Sequence, residues 1–241
     1  MKQYIIKRTT LLFTFIISFG SLSFGQLSTE TKKMTPDLPG EILVDFGFNF
    51  ARSEPSEMDF NWFRSKSLGV YFVKPFDIGK NMSFRPGIGI SMEKLGTTDE
   101  YTIGYVENTD GSTSLEFVPI PGDVTKSQLA LNFIEVPVEL RYNFGGNKGK
   151  GGFYLGLGGA IGFMVDGHTK TKYEYLGRKI KTMSYDEFSF NKTRLGVSGR
   201  IGFRGFGLFY KYYFSEVFNS GSPAGTEDLA YSTIGLTVSG F

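Results

Sequence analysis

Four carboxylates and five cations recur at alternate positions of otherwise apolar segments: Asp45, Glu93, Glu135 and Glu139 against Arg85, Arg141, Arg194, Arg200 and Lys211. The chemistry expected of them is mutual neutralisation. An unpaired ion in an apolar medium is prohibitively costly, so charges set among Phe, Leu and Ile must meet one another. A selectivity lining or proton path would use the same residues but would need an open bore. Nucleophilic catalysis needs a base within reach of the nucleophile. The single histidine, His168, has Ser184, Ser189 and Glu187 as its candidate companions. With one histidine and no cysteine, a multi-histidine metal site within one chain, a thiolate site and a disulfide are all excluded. No catalytic, cofactor-binding or metal-ligating residue is assigned.

The elements that position these charges follow from their spacing. In the segment 134–144, Ile134, Val136, Val138, Leu140, Tyr142 and Phe144 alternate with Glu135, Pro137, Glu139, Arg141 and Asn143. A strand sends successive side chains to opposite faces, so the segment has one apolar face and one ionic face. The pattern predicts eight strands, at about 41–51, 66–77, 82–93, 128–144, 152–165, 193–204, 206–215 and 230–241. These lengths suit tilted spanning strands of about 9–11 residues. Pro86 and Pro137 fall mid-strand, where a missing N–H is costly, and bulges are expected there. Phe241 is out of phase with Leu236 and Val238, which predicts a bulged or frayed end.

The ionic face must look inward. A soluble barrel would hide the Phe, Leu and Ile rows and expose the charges, whereas the reverse arrangement fits a membrane barrel. Gly87, Gly89, Gly156, Gly158, Gly162, Gly196 and Gly202 would leave room in a narrow eight-stranded cylinder for long Arg and Glu side chains. The connections alternate in length. Those at 77–81, 145–151 and 204–207 are short, and those at 52–65, 94–127, 166–192 and 216–229 are long. This order matches short periplasmic turns and long extracellular loops. Two long loops carry hairpin signals, around Asn108–Gly111 and Leu176–Lys179, and Tyr101, Tyr105, Tyr173 and Tyr175 are their candidate contact residues.

The composition agrees. There are 32 Gly, 25 Phe and 13 Tyr, a load that disfavours helix interiors and favours pleated surfaces. Residues 1–25 read as a signal peptide, with Lys2, Lys7 and Arg8 before an apolar core from Leu11 to Phe19 and a cleavage site at Ser23-Phe24-Gly25. Residues 26–40 read as a flexible periplasmic N-terminus, and 41–241 as the barrel domain. Removing the leader turns 26 basic and 24 acidic side chains into 23 and 24, too balanced for a nucleic-acid partner. The fold expected is all-β: an eight-stranded antiparallel up-and-down transmembrane β-barrel.

The stretches Ile134–Phe144 and Phe153-Tyr-Leu-Gly-Leu-Gly-Gly-Ala-Ile-Gly-Phe163 carry a resemblance. The chain resembles the PorT-like outer-membrane β-barrel proteins of the Bacteroidota over roughly 41–241. Glu135-Val136-Pro137 matches that family's Glu-hydrophobic-Pro element, followed by a Tyr-Asn-Phe end, a glycine-rich turn and a Gly-rich strand. The resemblance implies an integral protein of a Gram-negative outer membrane and transfers no active site. The expected function is that of a non-enzymatic structural or interaction protein, touching outer-membrane lipids with its wall and an envelope protein with its loops. The alternatives are a secretion-system-associated barrel, a small-solute channel and a lipid-modifying enzyme built on His168.

Overall fold

The computed structural model describes residues 40–240 except 56, 57, 99, 145–151, 187, 220–222, 224, 225 and 227. The expected signal peptide, nearly all of the expected N-terminal segment, the turn at 145–151, Glu187 and Phe241 lie outside the described residues.

Twelve strands follow one another among the described residues: β1 (Glu41–Arg52), β2 (Lys66–Val73), β3 (Phe76–Asp77), β4 (Met82–Thr97), β5 (Tyr101–Glu107), β6 (Thr113–Pro119), β7 (Asp123–Asn143), β8 (Phe153–Tyr175), β9 (Arg178–Ser184), β10 (Thr193–Phe203), β11 (Phe206–Tyr213) and β12 (Ala230–Ser239). Strands β1, β2, β4, β7, β8, β10, β11 and β12 are each antiparallel to their neighbours in the order β10-β11-β12-β1-β2-β4-β7-β8, and β8 pairs with β10 to close the ring. The result is a closed eight-stranded antiparallel β-barrel. The short β3 pairs with the start of β4, so the second predicted strand is interrupted at Lys74 and Pro75.

Turn chemistry explains the tight ends. Phe203 faces Phe206 across Arg204-Gly205, and Tyr175 faces Arg178 across Leu176-Gly177. Both central residues of each turn have positive φ, at 50° and 83° in the first and 50° and 70° in the second. That geometry matches the twist of the flanking strands, and glycine supplies half of it without strain.

Strand faces alternate as the hydrophobic pattern requires. On β1, Leu43, Asp45, Gly47 and Asn49 are buried, while Ile42, Phe46 and Phe50 are exposed. On β7, Ile134, Val136, Val138, Leu140 and Tyr142 lie on the outer wall and Glu135, Glu139 and Arg141 on the inner. Aromatic rings gather at both rims. Phe144 contacts Tyr142 and Phe153 at 4.9 and 5.3 Å, and at the opposite rim Trp62 stacks on Phe50 at 6.1 Å and meets Phe48 at 5.6 Å.

Two expectations need correction. The prolines are not at bulges. Pro86 faces Val138 and Pro137 faces Ala160 with no shift of register, although the β4–β7 pairing lapses between Pro86–Val138 and Gly89–Glu135. The shifts between β7 and β8 occur instead at Val124/Lys126 and Asn132/Phe133, nearer the loop end. Glycine at 87 beside the Pro137 ring helps a proline fit the wall, since a Cβ there would lie 3.3 Å from Pro137 Cγ and 2.9 Å from the Phe72 carbonyl oxygen. The second correction concerns length. Strands β4, β7 and β8 continue well past the predicted ends, and the 94–127 and 166–192 connections are largely strand, capped by the β5–β6 and β8–β9 hairpins that the turn signals at Asn108–Gly111 and Leu176–Lys179 predict.

The main apolar core sits at this loop end. Leu95, Leu129, Leu131 and Phe133 occupy the inner face beyond Glu93 and Glu135, and Met58, Phe60, Ile103, Leu115, Phe188, Phe190, Val217, Phe218 and Leu229 from the connections pack on them.

Candidate functional site

The inner wall holds all nine charges singled out in the sequence, each no more than 8% exposed. They form three connected tiers. Nearest the loops, β10 presents Arg194 to β4 and β7. Its Nη1 donates to Glu93 Oε1 at 3.1 Å, and its Nη2 donates to Glu135 Oε2 at 2.5 Å and to Ser91 Oγ at 2.6 Å. The guanidinium lies 4.0 Å from the Phe133 ring centre and 4.2 Å from that of Tyr213, and Nη1 also donates to the Tyr231 hydroxyl at 2.5 Å. The remaining Glu93 oxygen accepts from Asn49 Nδ2 at 3.0 Å.

In the middle tier, Arg200 forks onto Asp45 with Nη2 at 3.0 and 2.9 Å from the two carboxylate oxygens, and its Nη1 donates to Glu139. Lys211 Nζ reaches Asp45 Oδ2 at 3.0 Å and the Tyr71 hydroxyl at 2.9 Å. The space bounded by Asp45, Arg200 and Lys211 amounts to about 30 Å³, room for little more than a water molecule. In the last tier, Arg141 Nε donates to Glu139 Oε1 at 2.8 Å while its guanidinium stacks 3.9 Å above Tyr154. Arg85 lies 4.0 Å from the same Glu139 oxygen and donates to Glu41 Oε2 at 2.5 Å. Below this tier a polar vestibule of about 490 Å³ opens at the short-turn end, between Arg85, Arg141, Asn143 and Arg204.

Charge-assisted, forked contacts of this kind are the strongest hydrogen bonds a protein makes, and here they cross-link non-adjacent strands. Alternation along β8 and β11 already puts Tyr154 and Tyr213 on the polar face, whereas Glu41, Tyr71 and Tyr231 were missed; the hydroxyls or rings of the four tyrosines complete the cation shells. Parity along each strand was the signal available for all of them.

The glycines opposite these side chains are not equally required by space. A Cβ on Gly156 would stand 2.7 Å from Glu139 Cδ, whereas one on Gly162 would meet nothing closer than 3.5 Å. Gly156→Val is expected to lose about 1–3 kcal/mol of stability and Gly162→Ala to change little. The midpoints of urea unfolding in lipid vesicles check the contrast, and equal midpoints would refute it.

The loop candidates do not converge. Tyr101 and Tyr105 flank buried Ile103 on β5 and are 39% and 48% exposed. Tyr173 lies opposite Val124 and Ile180, and Tyr175 is 47% exposed at the tip of the β8–β9 hairpin. His168 Nδ1 is 2.9 Å from Asp166 Oδ2, and its ring sits 4.7 Å from that of Tyr185. Ser184 donates its hydroxyl to Asp186. Among the described residues no serine hydroxyl bonds to His168, and no cluster of His, Cys, Asp and Glu could hold a metal ion.

The closed ring, its apolar outer band and its ionic interior define an integral membrane barrel. The chain matches the family described as outer membrane protein beta-barrel domain over residues 24–215. It belongs to that family, and its place is the outer membrane. Among solved structures it is similar to Ail, the attachment invasion locus protein of Yersinia pestis, at 12% identity and a TM-score of 0.36, over 84% of this chain and all of that one. A second structure of Ail, in complex with the heparin analogue sucrose octasulfate, gives a TM-score of 0.31 at the same identity and coverage. A search of the curated proteins finds no match.

Proposed function

We propose that this barrel is a non-enzymatic outer-membrane scaffold that carries its two loop hairpins to a protein partner in the envelope or outside the cell. The observation that carries this is the double filling of the bore. Salt-bridged side chains occupy its membrane portion, and the Leu95–Phe133 cluster covers them at the loop end. A filled bore leaves no path for solutes, so the exposed hairpins are the parts available for contact. Binding residues tend to sit on loops held by a rigid scaffold. Among the described residues no serine hydroxyl bonds to His168, so the His168–Asp166 pair lacks the nucleophile that a lipid-modifying role would need. The Glu135-Val136-Pro137 element and the Gly-rich strand at 153–163 support kinship with the PorT-like barrels of the Bacteroidota, and through them a second role beside a secretion system.

Photo-crosslinking in native membranes tests the reading. A photoreactive residue replacing Tyr105 or Tyr175 should give a discrete protein adduct, and one replacing Leu157 on the lipid-facing wall should give none. The β5–β6 strands pair only with each other, while Ile103 and Leu115 pack into the apolar cover of the bore. Replacing only the hairpin tip, 106–113, with a short Gly-Ser linker spares both residues and should leave heat-modifiable folding intact while abolishing the Tyr175 adduct if the partner spans both hairpins. The absence of any adduct at 105 and 175 would refute the scaffold role.

A further inference from the structure

Where β7, β8 and β9 rise above the apolar band, lysines meet in register. Lys126 lies opposite Lys172, and Lys172 lies opposite Lys181, a row of three ammonium groups across three adjacent strands. Lys170 follows on the same face, opposite Gln128 and Met183. Lys94, opposite Ala130, and Lys66, opposite Phe48, extend the band across β4 and β2. The inward neighbours Ser67, Glu93, Leu95, Ser127, Thr169 and Thr171 are buried, so Lys66, Lys94, Lys126, Lys170 and Lys172 point to the outer wall, and Lys181 shares their face through its pairing with Lys172.

Like charges directly opposite one another destabilise a sheet. Burial first, and then the surrounding ammonium groups, hold Lys126 and Lys170 below the usual lysine range. Among the described residues none of the six forms an ion pair, and Lys66 has only the Phe63 ring, 5.7 Å away. The acids on this face stand at the margins. Asp166 is held by Asn132 and His168, and Asp123 and Glu174 face each other one row beyond, with Lys179 opposite Glu174.

Height on the wall selects the counter-ion. Ten residues separate Phe144 from Ile134, about 33 Å of strand, which at a tilt near 40° spans about 25 Å, the height of a bilayer-facing band. Lys94 stands two outward residues beyond Ile90, the partner of Ile134, and Lys170 and then Lys126 with Lys172 follow one and two steps further out. Lys94 is the next outward residue after Met92, and Lys66 the next after Leu68. Trp62 and Phe63, 52% and 62% exposed beside Lys66, mark the membrane surface. Long lysine stems can lie on the apolar wall while their heads reach the headgroup layer.

We propose that this lysine band binds the phosphate groups of anionic lipids in the outward-facing leaflet, with the lipid supplying the negative charge that no ion pair among the described residues gives these lysines. A soluble polyanion would meet the loop tips first, whereas the band faces sideways, into the lipid. Each lysine near an anionic surface contributes about a fivefold factor in affinity, so four together form a strong and salt-sensitive site.

The test compares the full chain with its Lys126→Gln, Lys170→Gln, Lys172→Gln and Lys181→Gln variant, reconstituted in neutral phosphatidylcholine vesicles with and without lipid A as the phosphorylated component. The readout is the midpoint of heat-induced unfolding, followed by gel mobility. Lipid A should raise the midpoint of the wild-type chain, and high salt should remove the rise. The variant should show no rise, yet should be at least as stable as wild type in neutral vesicles, because the repulsive row is gone. An equal rise in the variant, or a variant weaker than wild type in neutral vesicles, would overturn the proposal. So would inorganic phosphate or dextran sulfate reproducing the rise in neutral vesicles, since the site would then take a free anion rather than a lipid.

Discussion

Arg194→Leu should lower folding stability by about 3–5 kcal/mol, the cost of leaving buried charges without their partner. Arg194 is 4% exposed and neutralises two carboxylates, Glu93 and Glu135, each 1% exposed, from different strands. Leucine cannot reach either, and it leaves Ser91 Oγ and the Tyr231 hydroxyl without their donor. Urea titration of the reconstituted protein, followed through its single tryptophan, measures the loss. The compensating triple variant, Arg194→Met with Glu93→Leu and Glu135→Met, should recover most of it, because removing a whole buried ionic group often costs nothing. A single variant losing less than about 1 kcal/mol would mean that these ions are hydrated from the bore and that the upper tier is not closed.

Leu157→Arg should cost about 2–4 kcal/mol, the penalty for a cation at the lipid-facing midplane of a barrel. Leu157 is 65% exposed, between Leu140 and Gly199 on the outer wall. In water such an exposed leucine would accept arginine within about 0.5 kcal/mol. The size of the loss therefore reports the solvent. Leu176→Arg at the tip of the β8–β9 hairpin, 84% exposed, is the matched control and should be nearly neutral. The same titration in vesicles measures both. Equal, small effects at 157 and 176 would show that the outer wall is wetted by water.

The two predictions rest on features of unequal legibility. Over the membrane band the outer wall was readable from residue order alone, because alternation with period two fixes which side chains share a face until a bulge reverses it, as near Val165 on β8. Parity likewise separated Asp45, Glu93, Glu135 and Glu139 from the Phe and Leu rows. It held for Tyr154 and Tyr213 as well, and equally for Glu41, Tyr71 and Tyr231, which went unnoticed because a tyrosine in a strand also suits the outer face. The switch of the inner wall from Glu135 to Phe133, Leu131 and Leu129 was written in the same parity. Its meaning, an apolar cover, depends on Met58, Phe188 and Phe218 folding onto it from three separate connections.

Pairing between strands was not legible. Nothing local states that Arg194 meets Glu93, 101 positions earlier, or that Arg200 meets Asp45 across 155. The Lys126–Lys172–Lys181 row depends on the register of two ladders, and that register carries irregularities near Thr125 and Val165 that no composition rule predicts. The residue order alone determined the faces, the strand count and the medium around the barrel, because each follows from the direction of side chains along one strand. The tertiary structure decided which charges neutralise one another, where the bore is covered and where lysines are left without acids, because those depend on ring closure bringing distant strands to a single height.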